Sequence, residues 1–541
     1  MEACYCFKTQ DEKVRLREAL SVLSKSSPYA VSTERDESIS AHLDAVKNYL
    51  YIETDIESDF KKSLTSLSPS DKKIIFLCGS SGDGKSEILT RYSKKFSTRA
   101  DFHLDATHSF HPDTSAIDTL NELFESFEQN NRPLVVGINT GMLGNYSEEG
   151  TVEPIKASIK AFLGKEPHDS NHTFLDFESY PKFKLKAEGH SSEFAKALLE
   201  RITANEDNII RQFYDKEVEL AKPDKRLCAN YNLLSIPEVQ DVIIDILFKA
   251  RLMRDQFLTA RALLDFIFNL LAGPNYLFDN LFLGSDNELS LKILDFDPAN
   301  TRSKQLDKFI LARSLGLPDK AFDDYLKFIS STLGIRRGQK PESYLRLFYI
   351  LRKAQLSENY HTQFKDDFAE RLIDKYSVIW NLHFKYDGDV EIKRNIRHFY
   401  RDVMIAAVHK YNNRNAPELE KGQFLISSHN QYQVASDIEI SADLAAIQNH
   451  HETNASFFTA HFKIGDKEVS IPININLVGL MEKIVEGYRP NKHDKNTVVL
   501  LDELIDEIAD IAADSNTLLI LKGKKRMKVK SADDEFQVSG V

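Results

Sequence analysis

Residues 74–89 read Ile-Ile-Phe-Leu-Cys-Gly-Ser-Ser-Gly-Asp-Gly-Lys-Ser-Glu-Ile-Leu, and the fold turns on them. A continuous apolar run, Ile74 to Cys78, ends in glycine, and a helical stretch runs from Ser86 to Phe96. Between them Gly79, four residues, Gly84, Lys85 and Ser86 satisfy the phosphate-loop pattern, with a strand leading in and a helix leading out. Gly79, Gly82 and Gly84 allow backbone dihedrals that a Cβ obstructs. The loop Gly79, Ser80, Ser81, Gly82, Asp83, Gly84, Lys85, Ser86 can then turn successive N–H groups inward as an anion nest. The helix that follows adds its positive end. Lys85 is expected to neutralise β/γ-phosphate charge and the Ser86 hydroxyl to ligate Mg²⁺, so ATP and Mg²⁺ are the expected cofactors. Asp83 is an acid inside this loop and is expected to point away from the nucleotide, because like charges repel.

Outward from the loop, short apolar runs alternate with helices. Phe102 to Asp105, Leu134 to Ile138 and Thr173 to Phe177 read as strands; Ala116 to Phe127 and Val152 to Leu163 read as helices. That alternation predicts an α/β fold, a parallel sheet with helices on both faces. Strand signals stop after about Phe183, and β-character returns only from Gln423, ending in a hairpin over Thr517 to Val538. The expected architecture is an AAA+-like P-loop NTPase core with a helical lid, a large helical middle and a small α+β C-terminal part. The segments expected are 1–70, helical; 71–190, the α/β core; 191–275, the lid; 276–415, helical; and 416–541, α+β.

A Mg²⁺-binding carboxylate normally ends a neighbouring strand. Counted along the chain from the loop, Asp105 ends the second strand, Asn139 the third and Asp176 the fourth, with Glu178 close behind. In many ATPases that insert an extra strand the acid ends the third, and here that position is an amide. Asp105 or Asp176 is therefore the expected metal-shell acid. Asn139 is either a polar sensor of the γ-phosphate or a turn residue ahead of Gly141. Thr497 to Glu503 mimics a strand ending in Asp502-Glu503, the usual hydrolytic pair, but continues with apolar residues at helical spacing and reads as a helix. Arg261, on a helix beyond the core, stands where a lid would present an arginine to the γ-phosphate. Arg302, in Asp297-Pro-Ala-Asn-Thr-Arg302, is a loop arginine that can act across a subunit boundary in a homo-oligomer.

The chain has 541 residues and a net charge of −12, which speaks against coating DNA through bulk charge. Local basic runs exist: Lys522 to Lys530, Lys393 to Arg401 with interleaved aromatics, and Arg336, Arg337 and Lys340. Each suits phosphates or a solvated face, and none reads a groove. The start of the chain lacks a secretory h-region. No apolar stretch reaches the roughly 18–20 residues a membrane span needs. Cys4, Cys6, Cys78 and Cys228 fit neither a zinc set nor a disulfide framework, which predicts free thiols in a cytoplasmic protein.

The segments LSVLSKSSPYAV, FLCGSSGDGKSEIL, DATHSF, GINTGMLGNY, FLDFESYPKF, TARALLDFI, LFDNLF and GYRPNKHDKN, in that order, resemble the DptF (DndF) family. This is the F component of bacterial DNA phosphorothioation-dependent restriction systems. The resemblance runs along nearly the whole chain. It implies an ATPase that works with G and H components in restricting DNA that lacks the modification, with Gly79 to Ser86 as its nucleotide loop. No nuclease residue carries over. The alternatives from the residues alone are a nucleotide-gated scaffold that assembles partners with little turnover, or an unrelated P-loop enzyme such as a small-molecule kinase. The long helical region after residue 190 speaks against the kinase.

Overall fold

The computed structural model describes residues 14–27, 41–107, 114–130, 132–186, 189–255, 258–284, 286–369, 371–450, 455–523, 525–532 and 535–540. Cys4 and Cys6, most of the connector expected over Ser24 to Asp36, and part of the DATHSF segment lie outside them. The chain groups into two compact units. The first holds Met1–Lys182, Ser192–Leu247 and Gln256–Ala369, and the second Phe183–Ser191, Phe248–Asp255 and Glu370–Val541.

In the first unit the elements run α1 (Leu16–Leu20), α2 (Ala41–Leu50), α3 (Asp55–Ser66), β1 (Ile74–Gly79), α4 (Lys85–Phe96), β2 (Asp101–His103), α5 (Ala116–Gln129), β3 (Leu134–Asn139), α6 (Thr140–Glu149), α7 (Glu153–Leu163) and β4 (His172–Asp176). Then come α8 (Glu193–Thr203), α9 (Ile209–Glu219), α10 (Lys225–Leu234), α11 (Pro237–Arg254, of which the residues from Phe248 on belong to the second unit), α12 (Ala260–Ala272) and further helices to Leu351. The four strands form one parallel sheet in the order β2-β3-β1-β4. Every residue of β1 is buried, as a strand covered on both faces requires.

The period of two along β1 divides the core. Ile74, Phe76 and Cys78 face one layer with Leu120, Phe124 and Tyr146 of α5 and α6 and Ile155 of α7. Ile75 and Leu77 face the other with Phe60 and Leu64 of α3 and Leu89 and Tyr92 of α4. Phe76 is packed on three sides, edge-on to Phe124 and His172 and stacked on Phe174, with ring centres 6.0, 6.5 and 4.7 Å away. A fully buried side chain of this size contributes about 1.5–3 kcal/mol. Helix starts are fixed locally: Ser115 and Asp118 close a capping box on α5, and Thr259 caps α12 through the Ala262 N–H.

Two strand expectations need correction. Strands do not stop at Phe183: Lys184–Lys186 pairs antiparallel with Gly189–Ser191 in the second unit. Three-residue strands reading Lys-Leu-Lys and Gly-His-Ser carry too short an alternation to register. The C-terminal hairpin is a three-stranded meander, Thr517–Lys522, Lys525–Ala532 and Glu535–Gly540. It continues through Tyr432–Asp437 and Gln423–His429 into a five-stranded antiparallel sheet. The last strand is exposed along its whole length, so no buried face marks it in the sequence. The second unit also holds a three-stranded sheet (Ile440–Ala442, Phe457–Ile464, Lys467–Asn474) and helices including Arg371–Lys385 and Val390–Phe399. No described helix is long and apolar enough to cross a membrane.

Candidate nucleotide-binding site

In an open parallel sheet, ligands bind beyond the carboxyl ends of the strands. Here β1 ends at Gly79, level with Asn139 of β3, and Cys78 is level with Asp176 of β4. The 79–86 loop leaves β1 with Gly82 and Gly84 in the left-handed region, φ +86° and +106°, and enters α4 at Lys85. The first N–H groups of α4 have no intrahelical acceptor and point toward the loop.

A cavity of about 550 Å³ opens over this loop. Its lining is part polar, with the loop from Ser81 to Ser86, Asp105, Thr107, Asn139 and Arg261, and part apolar, with Leu23, Leu50, Ile52, Phe194, Leu198 and Leu264. Lys85 is half-buried, and its Nζ donates to the carbonyls of Gly79 and Ser80 at 2.9 and 2.8 Å. Burial lowers its pKa, because the ammonium is short of water. An anion in the loop would offer that ammonium a charged acceptor in place of two carbonyls. Asp83 is turned into the protein, where its carboxylate accepts from the Ser80 N–H at 2.8 Å and from Lys182 Nζ at 2.9 Å.

β3 lies between β1 and β2, so Asn139 belongs to the intervening strand and Asp105 follows the strand beyond it. Asp105 lines the cavity and Asp176 does not. Gly137 makes this possible. A Cβ there would meet the Leu104 carbonyl oxygen at 2.6 Å and Leu89 Cδ1 at 2.4 Å, and the Ala106 N–H bonds the Gly137 carbonyl at 2.9 Å. The chain after β2 therefore hugs β3 and carries Asp105 over the loop. The Asp105 carboxylate accepts from Thr107 N–H and Oγ1 at 2.9 and 2.7 Å. Asn139 caps α6 by accepting from the Met142 N–H at 2.7 Å and also lines the cavity. Asp176 is half-buried, accepts from the Glu178 N–H, and has its pKa raised by burial.

Arg261 reaches the loop through its backbone. Its N–H donates to the Gly82 carbonyl at 3.0 Å, and its Cβ lies 2.9 Å from where a Cβ on Gly82 would be. Its guanidinium, expected against a γ-phosphate, instead donates to the carbonyls of Leu23 and Ser24. Burial lowers its pKa. Arg302 is exposed and pairs with Asp307 at 3.3 Å. Asp502 and Glu503 sit on the helix Lys495–Ala513 of the second unit, as their spacing predicted.

Of the basic runs, Lys525 to Lys530 forms a strand on which Arg526 pairs with Glu420 and Lys528 with Asp437, while Lys524 lies outside the described residues. Lys393 to Phe399 is helical, as expected, and Arg401 lies in a further helical turn, Tyr400–Ile405, paired with Asp402. Arg336 and Arg337 are exposed loop residues ahead of the helix Pro341–Leu351. No group of three or more His, Cys, Asp or Glu that could hold a metal by itself occurs among the described residues. One hydroxyl and one or two carboxylates suit Mg²⁺, which takes most of its ligands from phosphates and water.

Three contributors escaped sequence reasoning: Lys182, Gly137 and the wall from residues 22–54. Lys182 lies inside the FLDFESYPKF segment, where nothing about its neighbours assigns it a role. Gly137 sat in plain view inside the apolar run Leu134 to Ile138, the usual signal of a close backbone approach. No family model, curated protein or solved structure matches the chain.

Proposed function

We propose that the chain binds ATP with Mg²⁺ at the 79–86 loop and hydrolyses it. The observation that carries this is the convergence of the loop, Lys85, Asn139 and Asp105 on one cavity beyond the carboxyl ends of parallel strands. Phosphoryl transfer to water asks a protein mainly to position and to stabilise charge. The inward N–H groups and Lys85 hold the β- and γ-phosphates. Ser86 and Asp105 would hold Mg²⁺, which would neutralise charge on the phosphates. Asn139 orients the attacking water or feels the γ-phosphate. Water attacks the γ-phosphorus as the bond to the β-γ bridging oxygen breaks, leaving ADP and inorganic phosphate. The apolar part of the cavity lining accepts the base. An ATPase assay of the purified chain against Lys85→Ala tests this; equal turnover by both would sink it.

The resemblance to the F component supports a role in a DNA restriction complex with G and H partners acting on unmodified DNA. Turnover measured with unmodified and phosphorothioated DNA, with and without those partners, tests this role. A second reading, a nucleotide-gated scaffold with little turnover, is favoured by one feature. Asp105 is followed by buried Ala106, so the second acid of the usual hydrolytic pair is missing there. Tight ATP binding with no release of phosphate would favour it.

A further inference from the structure

An acid within a phosphate loop must have its charge answered elsewhere. The Asp83 side chain has no exposure at all, and the Lys182 side chain that pairs with it at 2.9 Å is only 10% exposed. The pair is held from several directions. Asp83 bonds back to the Ser80 N–H, the Lys182 ammonium lies 5.3 Å from the centre of the Phe177 ring, and Phe177 and the Asp83 carboxylate together fill the space over Gly79 where a Cβ would sit. Asp83 thus does a structural task for the loop, and Lys182 is the only described cation paired with it.

We propose that Lys182 is a positioning residue for the phosphate loop: it holds the Asp83 carboxylate on the underside of the loop, so that Lys85 is left for phosphate. This rests on the nucleotide-loop reading above. Among its acidic neighbours Lys85 feels Asp83 most strongly. Without Lys182 the carboxylate has one other cation within the loop, Lys85. Pairing with it removes a donor from the phosphates and sets a second anion beside them, in surroundings where charges act strongly on each other.

The test is MgATP binding by calorimetry on the full chain, for wild type, Lys182→Met, Asp83→Asn and the double variant Asp83→Asn/Lys182→Met. The expected result is a loss of about tenfold or more in affinity for Lys182→Met. The double variant should return to within about threefold of wild type, because the carboxylate that needed holding is gone. Thermal unfolding of the same four proteins separates positioning from structural damage, which would weaken binding only in step with a loss of the folded state. Wild-type affinity in Lys182→Met, or a double variant as weak as the single one, overturns the positioning role and leaves the loop reading intact. Failure of folded wild type and folded Asp83→Asn alike to bind MgATP overturns the loop reading, and the inference with it. Should thermal unfolding show that Lys182→Met does not fold, Lys182→Gln with and without Asp83→Asn makes the same comparison. Its amide can still donate to Asp83 but carries no charge.

Discussion

The two units use charge in opposite ways. At the 79–86 loop two charges are sheltered: Asp83 is buried against Lys182, and Lys85 is half-buried on loop carbonyls. In the second unit the cations of Lys525 to Lys530 are many and mostly at the surface, and Arg526 and Lys528 are answered by Glu420 and Asp437. Density of charge in the sequence therefore says less than burial of charge in the fold. A buried ion that loses its partner cannot recover water, whereas an exposed one can. The same contrast holds for apolar groups, and there it predicts the largest effect. Phe76→Ala, in the middle of the parallel sheet, should cost about 3–5 kcal/mol of stability. Phe536→Ala, on the last strand with the residue 76% exposed, should cost less than about 0.5 kcal/mol. Chemical denaturation of both variants measures the gap, and similar losses would mean that the last strand is buried in solution.

Next in size is the loop cation. Lys85→Ala should lower kcat/KM for ATP by about 10²–10³, which corresponds to about 3–4 kcal/mol of lost charge stabilisation. Lys528→Ala should leave it unchanged. An effect of Lys528→Ala comparable with that of Lys85→Ala would break the comparison, since it would give a surface cation a role at the site.

Much of this was legible from one segment. A buried run, a glycine loop and a helix each demand the next, so β1, the loop and α4 could be read without any tertiary knowledge, and the alternation after them announced a parallel sheet. The order of strands in space could not be read, because sequence counts strands along the chain while the metal acid is chosen by neighbours. Along the chain Asn139 ends the third strand, whereas in space its strand β3 stands between β1 and β2. Lys182 was illegible for a related reason. Nothing local marks it, and its meaning comes only from Asp83, 99 positions earlier in the chain. The expected hairpin ran to Val538 and took in most of the strand Glu535–Gly540 without separating it from the strand before it.

The second unit has its own sheltered charge, or rather a place that refuses one. His383 is buried, with Nδ1 on the Ile379 carbonyl at 2.8 Å and Nε2 on the Tyr400 hydroxyl at 3.3 Å. The Tyr400 oxygen accepts from the His461 N–H, so its own proton is available to Nε2 and the imidazole is neutral. Burial pushes its pKa from the ordinary 6.5 down to about 4, and His461 adds to the effect. Between those values the unfolded chain takes up a proton that the folded chain declines, so stability falls as pH is lowered through that window. The full effect is about 3 kcal/mol. The single tryptophan, Trp380, lies on the same helix, Arg371–Lys385, and donates to the Phe457 carbonyl, so its fluorescence follows unfolding of this unit. His383→Gln should flatten the profile between pH 6.5 and 4, and an unchanged slope would assign the acid sensitivity to other groups.

The smallest effect separates two acids that the sequence makes look alike. Asp105 ends a short apolar run at the cavity, and Asp502 ends a longer one on a helix. Neither substitution should disturb folding much. Asp105 is partly exposed and bonds mainly to its own turn, and an amide can keep those bonds; Asp502 is exposed and interacts with Tyr411. Asp105→Asn and Asp502→Asn should each cost less than about 1 kcal/mol. Their chemistry should differ. An amide at 105 keeps the Thr107 bonds but loses the negative charge that holds Mg²⁺ water, so the Mg²⁺ concentration for half-maximal turnover should rise about tenfold. At 502 it should not move. If instead Asp176→Asn raised the Mg²⁺ requirement and Asp105→Asn did not, the metal-shell acid would be the one on β4, and the cavity lining would have pointed to the wrong strand.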